Sequence, residues 1–238
     1  MSRGAPRAVL LDALGTLVGL EPPWQRLVDA LHERHGIDVS TAEATRALRA
    51  EMAHYREHCA SAGDAATLAA LRRSCADVLA SELGGTVAQL DRDELGAVLL
   101  DALRFAPYSE VPAALAALRD RGARLIVVSN WDISLHEVLE QTGLRPLLDA
   151  VITSAEVGAA KPAPAIFAAA LAAADADADA ALHVGDSLRE DIEGASAAGI
   201  EAVLMRRAQG SLLAPRGDDA RAVAPAVRTI ASLTALAD

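Results

Sequence analysis

Ala8-Val9-Leu10-Leu11-Asp12-Ala13-Leu14-Gly15-Thr16 is an apolar run that ends at a carboxylate and then meets a glycine and a hydroxyl. A short continuous apolar run closed by a turn signal describes a buried strand that feeds a tight turn. The same pattern returns after Pro107. Val111–Arg121 is helical in spacing, and Leu125-Ile126-Val127-Val128 is a β-branched run that ends at Ser129-Asn130. A helix (Ile133–Gln141), a strand (Ala150–Thr153) and a helix (Ala163–Ala173) follow. Then come a strand (Ala181–Val184) ending at Gly185-Asp186, a helix (Glu190–Ala198) and a strand (Glu201–Leu204). Strands alternating with helices predict an α/β fold class: a parallel sheet covered on both faces. Polar residues gather just past the strand C-termini, where open α/β sheets bind ligands.

Between Trp24 and Leu103 the pattern is helical throughout. Four segments, Trp24–His35, Thr41–Ala60, Ala65–Leu83 and Leu90–Leu103, repeat apolar residues at three- and four-residue spacing and are parted by Gly36, Gly63 and Gly84-Gly85. They predict an all-helical module of roughly 80 residues inserted after the first strand. Ala168–Ala181 alternates Ala and Asp and reads as a helix end and a solvated turn. Ser211–Arg221 reads as a loop, and Val223–Asp238 as a short edge strand with a terminal helix.

Composition narrows the function classes. The chain has 238 residues, 52% hydrophobic and 23% charged, which suits a packed core and excludes wholesale disorder. A net charge of −11 argues against nucleic-acid binding, which needs a basic face. It also disfavours adsorption to an anionic membrane. No run of about 18 apolar residues is present, so no span is expected. Met1–Pro6 has neither a charged nor an apolar leader region, and the two cysteines, Cys59 and Cys75, make no disulfide framework. A reducing cytoplasm is the expected setting. The sequence carries no signal of oligomeric state.

Of the 22 basic residues only Lys161 is a lysine. Where arginine serves almost everywhere, a lone lysine marks a place where a compact point charge is needed rather than a planar fork. Four strand ends carry polar residues: Asp12 with Thr16, Ser129 with Asn130, Lys161 in its loop, and Asp186 with Asp191. Three carboxylates at one sheet edge repel one another unless a cation neutralises them. Oxygen donors of this kind suit Mg²⁺, which is held by one or two carboxylates together with substrate phosphate. Lys161 and Ser129 would hold the other phosphate oxygens, and one carboxylate would act as nucleophile.

The chain resembles the haloacid dehalogenase (HAD)-like hydrolase superfamily. Val9-Leu10-Leu11-Asp12-Ala13-Leu14-Gly15-Thr16-Leu17 is similar to its first motif and Val127-Val128-Ser129-Asn130 to its second. Glu156-Val157-Gly158-Ala159-Ala160-Lys161-Pro162 is similar to the third, and His183-Val184-Gly185-Asp186-Ser187-Leu188-Arg189-Glu190-Asp191 to the fourth. All four stand in family order, and the helical insertion sits where a subfamily I cap sits. The resemblance implies a Rossmann-like doubly wound core over 1–17 and 104–238, with a helical cap over 18–103. It implies that Asp12 is the nucleophile and a Mg²⁺ ligand, with Lys161 beside it. Ser129 and Lys161 would bind the phosphate of a small phosphorylated metabolite. Asp186 would ligate the metal, Leu14 would contribute its backbone carbonyl, and Asp191 would act directly or from behind. Thr16 reads equally as a phosphate contact or a turn hydroxyl, and Asn130 equally as a substrate contact or a loop brace.

One residue departs from the family's phosphatases, which carry a second Asp two positions after the nucleophile. Leu14 stands there. A missing general acid and base is worth about 10²–10⁴-fold in rate. Three readings follow: a Mg²⁺-dependent phosphatase with slowed turnover, a 2-haloacid dehalogenase-like hydrolase, and a phosphate-binding or interaction protein without catalysis. Dehalogenases also lack the second Asp, but they lack the acidic pair kept here as Asp186 and Asp191. A phosphonate hydrolase would need a cap lysine, and Lys161 is the only lysine.

In the helical segment, Tyr55, Arg56 and His58, with His54, form a polar group. Spacing of three and four residues puts Tyr55, His54 and His58 on one face, as a solvated surface or as a patch that selects the leaving group. His32, His35, Cys59 and Cys75 read as surface or packing residues, and Trp131 with Asp132 as the floor of the pocket.

Overall fold

The chain's computed structural model describes residues 6–207 and 227–237. Ala8–Leu11 forms β1, every residue of it fully buried. Its neighbours on both sides are parallel: Arg124–Ser129 (β4) and Ala181–Gly185 (β6). Ala150–Thr153 (β5), Glu201–Met205 (β7) and Thr229–Ile230 (β8) complete a six-stranded sheet in the order β5-β4-β1-β6-β7-β8, with parallel pairing throughout. The chain runs outward from β1 to β5 and then restarts at β6 on the other side. Strand order therefore reverses between β1 and β6, and a crevice opens beyond their C-terminal ends.

Side chains alternate across the sheet. Val9, Leu11, Leu125 and Val127 pack on one face with Val111–Asp120 (α5), Leu135–Gln141 (α6) and Thr234–Ala237 (α10). Leu10, Ile126 and Val128 pack on the other with Pro164–Ala174 (α8) and Gly194–Ala197 (α9). Burying each such side chain contributes roughly 1.5–3 kcal/mol, which is why the sheet interior is almost wholly apolar before the strand ends, with His183 of β6 as a buried polar exception. The short helix Ser154–Val157 (α7) follows β5 directly.

Four helices separate β1 from the rest of the sheet: Trp24–His35 (α1), Thr41–His58 (α2), Ala65–Leu83 (α3) and Arg92–Ala102 (α4). Three of their starts, those of α2, α3 and α4, are written in side chains. Ser40 forms a reciprocal capping box with Glu43, Asp64 accepts from the Ala66 and Thr67 amides, and Asp91 accepts from those of Asp93 and Glu94. Leu27, Leu31, Leu48, Leu71, Leu79, Leu95 and Leu99 fill a hydrophobic cluster of their own. Alanines at 44, 47, 76 and 80 let the helix axes approach within it.

Several expectations shift. Val18–Leu20 (β2) and Phe105–Pro107 (β3) pair as an antiparallel ribbon at the two junctions between helices and sheet, where no strand was expected. The segment expected as one helix over Thr41–Ala60 ends at His58 and continues as a 3₁₀ turn, Cys59–Ser61. The fourth helix is shorter than Leu90–Leu103 because Asp91 caps it. The helix expected at Glu190–Ala198 begins as a π-helical turn, Leu188–Glu193, before α9. The edge strand and terminal helix expected near the C-terminus are β8 and α10. The loop expected at Ser211–Arg221 lies outside the described residues. Among the described residues, no helix is long and apolar enough to cross a membrane.

Candidate functional site

The crevice past β1, β4 and β6 collects the predicted polar residues. Asp12 follows β1 and is anchored by its amide, which donates to the Val184 carbonyl at 2.9 Å. Its Oδ1 accepts from Ser129 Oγ at 3.2 Å and from Lys161 Nζ at 2.7 Å. Lys161 Nζ also donates to Asp191 Oδ1 at 2.6 Å. That oxygen lies 2.9 Å from His183 Nε2, and Asp191 Oδ2 accepts from the Ser187 amide at 2.9 Å. Asn130 braces the lysine loop: its Oδ1 accepts from the Lys161 amide, and its Nδ2 donates to the Lys161 carbonyl and to Glu190 Oε2.

Carboxylate oxygens of Asp12, Asp186 and Asp191 all lie within 4.8 Å of one another. Two glycines make this crowding feasible. A Cβ on Gly15, whose φ is +84°, would overlap Asp186 Oδ2, and a Cβ on Gly185 would overlap the Asp191 carboxylate. Burial first, then the charge of Asp191, pushes the Asp12 carboxyl above its usual range, although Lys161 works against the rise. Burial raises Asp186 as well, reinforced by Asp12 and Asp191. Asp191 is the exception. Burial works against its charge, but Lys161 and the hydrogen bond from His183 outweigh it and hold the carboxyl well below the usual range. Lys161 is likewise disfavoured by burial, yet Asp12 and Asp191 outweigh that and raise its pKa. The site therefore holds one cation against three carboxylates and retains an excess of negative charge.

A cavity of about 490 Å³ opens from this cluster toward the helices. Asp12, Leu14, Ser129, Asn130, Asp186 and Asp191 line it from the sheet side, with Trp131 and Asp132. Tyr55 and Arg56 line it from α2. Tyr55 also donates its hydroxyl to Asp132 Oδ2 at 2.9 Å, joining helix to core.

Three predicted residues do not line this cavity: Lys161, 3% exposed and held by Asp12 and Asp191, and with it His58 and Thr16. His58 is exposed; its ring stacks on His54 with centroids 4.2 Å apart, and its Nδ1 pairs with the His54 carbonyl. At about 100° per residue, the face of α2 that reaches the cavity runs through Tyr55 and Arg56, and His58 falls just beyond its edge with His54. His54 contacts Ser74 Oγ on α3 at 2.9 Å. Thr16 is fully buried and does not line the cavity; its hydroxyl has no partner among the described residues. Cys59 and Cys75 are buried free thiols, packed in the helical cluster as expected, and both also reach the cavity wall.

Other residues at the site were not foreseen. His183 carries no hint in its apolar strand, yet it completes the Asp191 contacts. Glu190, expected as the start of a helix within the fourth motif, lines the cavity and accepts from Asn130. Glu51 is 4% exposed on α2 and lines the cavity, with its carboxyl pushed up to about 7 by burial. A signal for it existed: Ala44, Ala47, Leu48 and Glu51 share the apolar stripe of α2, and a carboxylate breaks that stripe.

Residues 6–199 match the family profile described as haloacid dehalogenase-like hydrolase. A Bos taurus protein named haloacid dehalogenase-like hydrolase domain-containing protein 3 is 43% identical over 93 residues, covering 39% of this chain and 37% of its own. The glyceraldehyde 3-phosphate phosphatase of Methanopyrus kandleri is 36% identical over 114 residues, covering 48% of this chain and 49% of its own. The matched segments span less than half the length of these two relatives. Among solved structures, a HAD phosphatase from Thermococcus onnurineus superposes with a TM-score of 0.62 at 28% identity, covering 97% of this chain and 95% of that one.

Proposed function

Because the chain belongs to the haloacid dehalogenase-like hydrolase family, we propose that it hydrolyses a phosphate monoester of a small cytoplasmic metabolite through an aspartyl-phosphate on Asp12. The observation that carries this reading is the position of Lys161 Nζ, 2.7 Å from Asp12 Oδ1 and 2.6 Å from Asp191 Oδ1, behind a cavity wall to which Asp12, Asp186 and Asp191 belong. The phosphatase name of the Methanopyrus kandleri relative supports it.

The donor set suits Mg²⁺. Three carboxylates with oxygens within 4.8 Å face a single ammonium, and Gly15 clears the space beside Asp186. Asp12, Asp186 and the Leu14 carbonyl would hold the ion. Asp191 spends its oxygens on Lys161, His183 and the Ser187 amide, so we assign it to orienting Lys161. Mg²⁺ bound there supplies charge neutralisation for phosphate and for the attacking carboxylate. Ser129 and Lys161 both bond Asp12 Oδ1, which fixes the plane of the nucleophile. We assign the same two side chains to the phosphate oxygens that would arrive beside Asp12, where a preorganised ammonium stabilises growing charge. The Asp12 carboxylate attacks phosphorus as the ester P–O bond breaks, and the leaving oxygen takes its proton from solvent because Leu14 offers none; water then cleaves the acyl-phosphate to inorganic phosphate and regenerates Asp12. We take residues 18–103 as a cap that closes over 1–17 and 104–238, with Tyr55 and Arg56 facing the leaving group.

Leu14 favours a second reading. It lines the cavity beside Asp12 with a side chain that carries no proton. Displacement of halide from a 2-haloacid needs no proton on the leaving group. The test is a panel of phosphate esters and 2-chloropropionate, each assayed with Mg²⁺ and with EDTA. Phosphate release that requires Mg²⁺ is the expected result. Halide release that survives EDTA would establish the second reading, and silence on both would leave a binding protein.

A further inference from the structure

Glu51 stands where the packing of α2 calls for a hydrocarbon. Its stripe partners Ala44, Ala47 and Leu48 are buried in the helical core, and Glu51 itself is only 4% exposed. No arginine, lysine or histidine forms an ion pair with it among the described residues; its polar neighbour is the Cys75 thiol on α3. A buried carboxyl without a charged partner is costly and persists where something else recovers the cost. Its carboxyl faces the wall of the same cavity that holds Asp12, where Met52, Leu71 and Leu99 supply apolar surface around it. Burial leaves this carboxyl near the midpoint of its titration, at about 7, so a bound cation would draw it to the charged form. The nearby Cys75 thiol is pushed well above its usual range by burial and by Glu51, so it remains a neutral neighbour.

We propose that Glu51 is the specificity-determining residue of the cap and that it receives the ammonium group of an amine-bearing phosphate monoester. The phosphate lies at Asp12, an apolar stretch of the substrate spans the cavity, and the amine ends at Glu51. Arg56, Arg72 and Arg104 line the same cavity; of the two carboxylates that α1–α4 place in its wall, Asp101 is half-buried and paired with Arg34, and Glu51 is the buried one without an ion pair among the described residues. The proposal rests on the phosphatase reading for the position of the phosphate, and on the cavity for the position of the amine.

The test is calorimetric binding, in Mg²⁺ buffer, of ω-aminoalkyl phosphates with two to six carbons, each against the n-alkyl phosphate of equal length. The protein is used whole, as the parent and as Glu51→Gln and Glu51→Leu. Thermal unfolding confirms that each variant folds. The parent should bind at least one amine at least about tenfold more tightly than its alkyl match, as expected for a hydrogen bond to a charged group in a buried setting. Both variants should bring that ratio to within about twofold of unity. Equal affinities in the parent, no binding by any member of the series, or a preference that persists in both variants would each overturn the assignment. Phosphate release from p-nitrophenyl phosphate is recorded alongside. Amine preference without phosphate release would sink the phosphatase reading and leave Glu51 as an amine site; release without preference would do the reverse.

Discussion

Lys161 Nζ lies 2.6 Å from Asp191 Oδ1, and both side chains are about 1% exposed. The ammonium is thus enclosed between Asp191 and Asp12. A guanidinium is planar and spreads its donors over a fork, so it reaches two carboxylates only by displacing one. Lys161→Arg should therefore lose kcat/KM nearly as fully as Lys161→Ala, by about 10²–10³-fold, as for removal of a preorganised donor. Parallel steady-state assays of the two variants check this. Retained activity in the arginine variant would show that a positive charge alone suffices there.

Gly15 sets the position of Asp186. Its φ of +84° already disfavours an L side chain, at about 1–2 kcal/mol, and a Cβ would overlap Asp186 Oδ2. Gly15→Ala should lower the melting temperature and weaken Mg²⁺ binding by about 10–100-fold, the range found when a metal ligand's support is removed. Asp186→Asn should weaken Mg²⁺ at least as much while leaving the fold more stable than Gly15→Ala does. Calorimetry with Mg²⁺ and thermal melts on both variants test the pair. Unchanged Mg²⁺ affinity in Asp186→Asn would remove that residue from the metal site.

What the sequence made legible follows from how each element is held. β1, β4 and β6 are buried on both faces and β5 and β7 in part, so mainly apolar runs mark them, and Ala65–Leu83 carries its own cap in Asp64. The ribbon of β2 and β3 was hidden because each strand has three residues and they meet only through the fold, with Gly19 and Pro107 weakening the local signal. Asp12, Ser129 and Asp186 stood out because they follow or end apolar runs, and Lys161 because it is the single lysine of the sequence. His183 and Glu51 did not, since each is a single polar residue inside an apolar pattern whose partner, Asp191 or the cavity, comes from elsewhere in the chain. His58 looked equivalent to Tyr55 by spacing, but the packing of α2 turns only Tyr55 inward.

Glu51 should make stability depend on pH. Its carboxyl titrates at about 7 when folded, against an ordinary value of 4.5, so the folded state holds the proton more tightly than the unfolded state. The associated stability is fully present below pH 4.5 and is lost as pH rises through 7. The loss amounts to about 3 kcal/mol by pH 8 if the whole shift is realised. Glu51→Gln lacks this titration. Its melting temperature should gain on the parent between pH 5 and pH 8, and parallel pH profiles for the two proteins would show that the buried carboxyl does not titrate there.

In the phosphatase reading, Leu14 bears on the chemistry of the leaving group. It lines the cavity beside Asp12, two residues on, and no proton can pass through it. Attack by Asp12 on an alkyl phosphate expels an alkoxide that needs a proton, whereas p-nitrophenolate leaves without one. A carboxyl at position 14 would supply that proton and then take one from the water that cleaves the aspartyl-phosphate. Leu14→Asp should therefore raise kcat/KM for alkyl phosphates by about 10²-fold or more and for aryl phosphates by less. It should also shorten the life of the phosphorylated Asp12, seen as reduced acid-trapped label after a pulse of phosphate donor. The ratio of alkyl to aryl kcat/KM before and after the change is the measurement. A folded, Mg²⁺-binding Leu14→Asp variant that gains on neither substrate would mean that position 14 is not the missing acid. The acid would then be sought among the cavity residues of the helices, with Tyr55, whose hydroxyl already serves Asp132, the first to be changed to Phe.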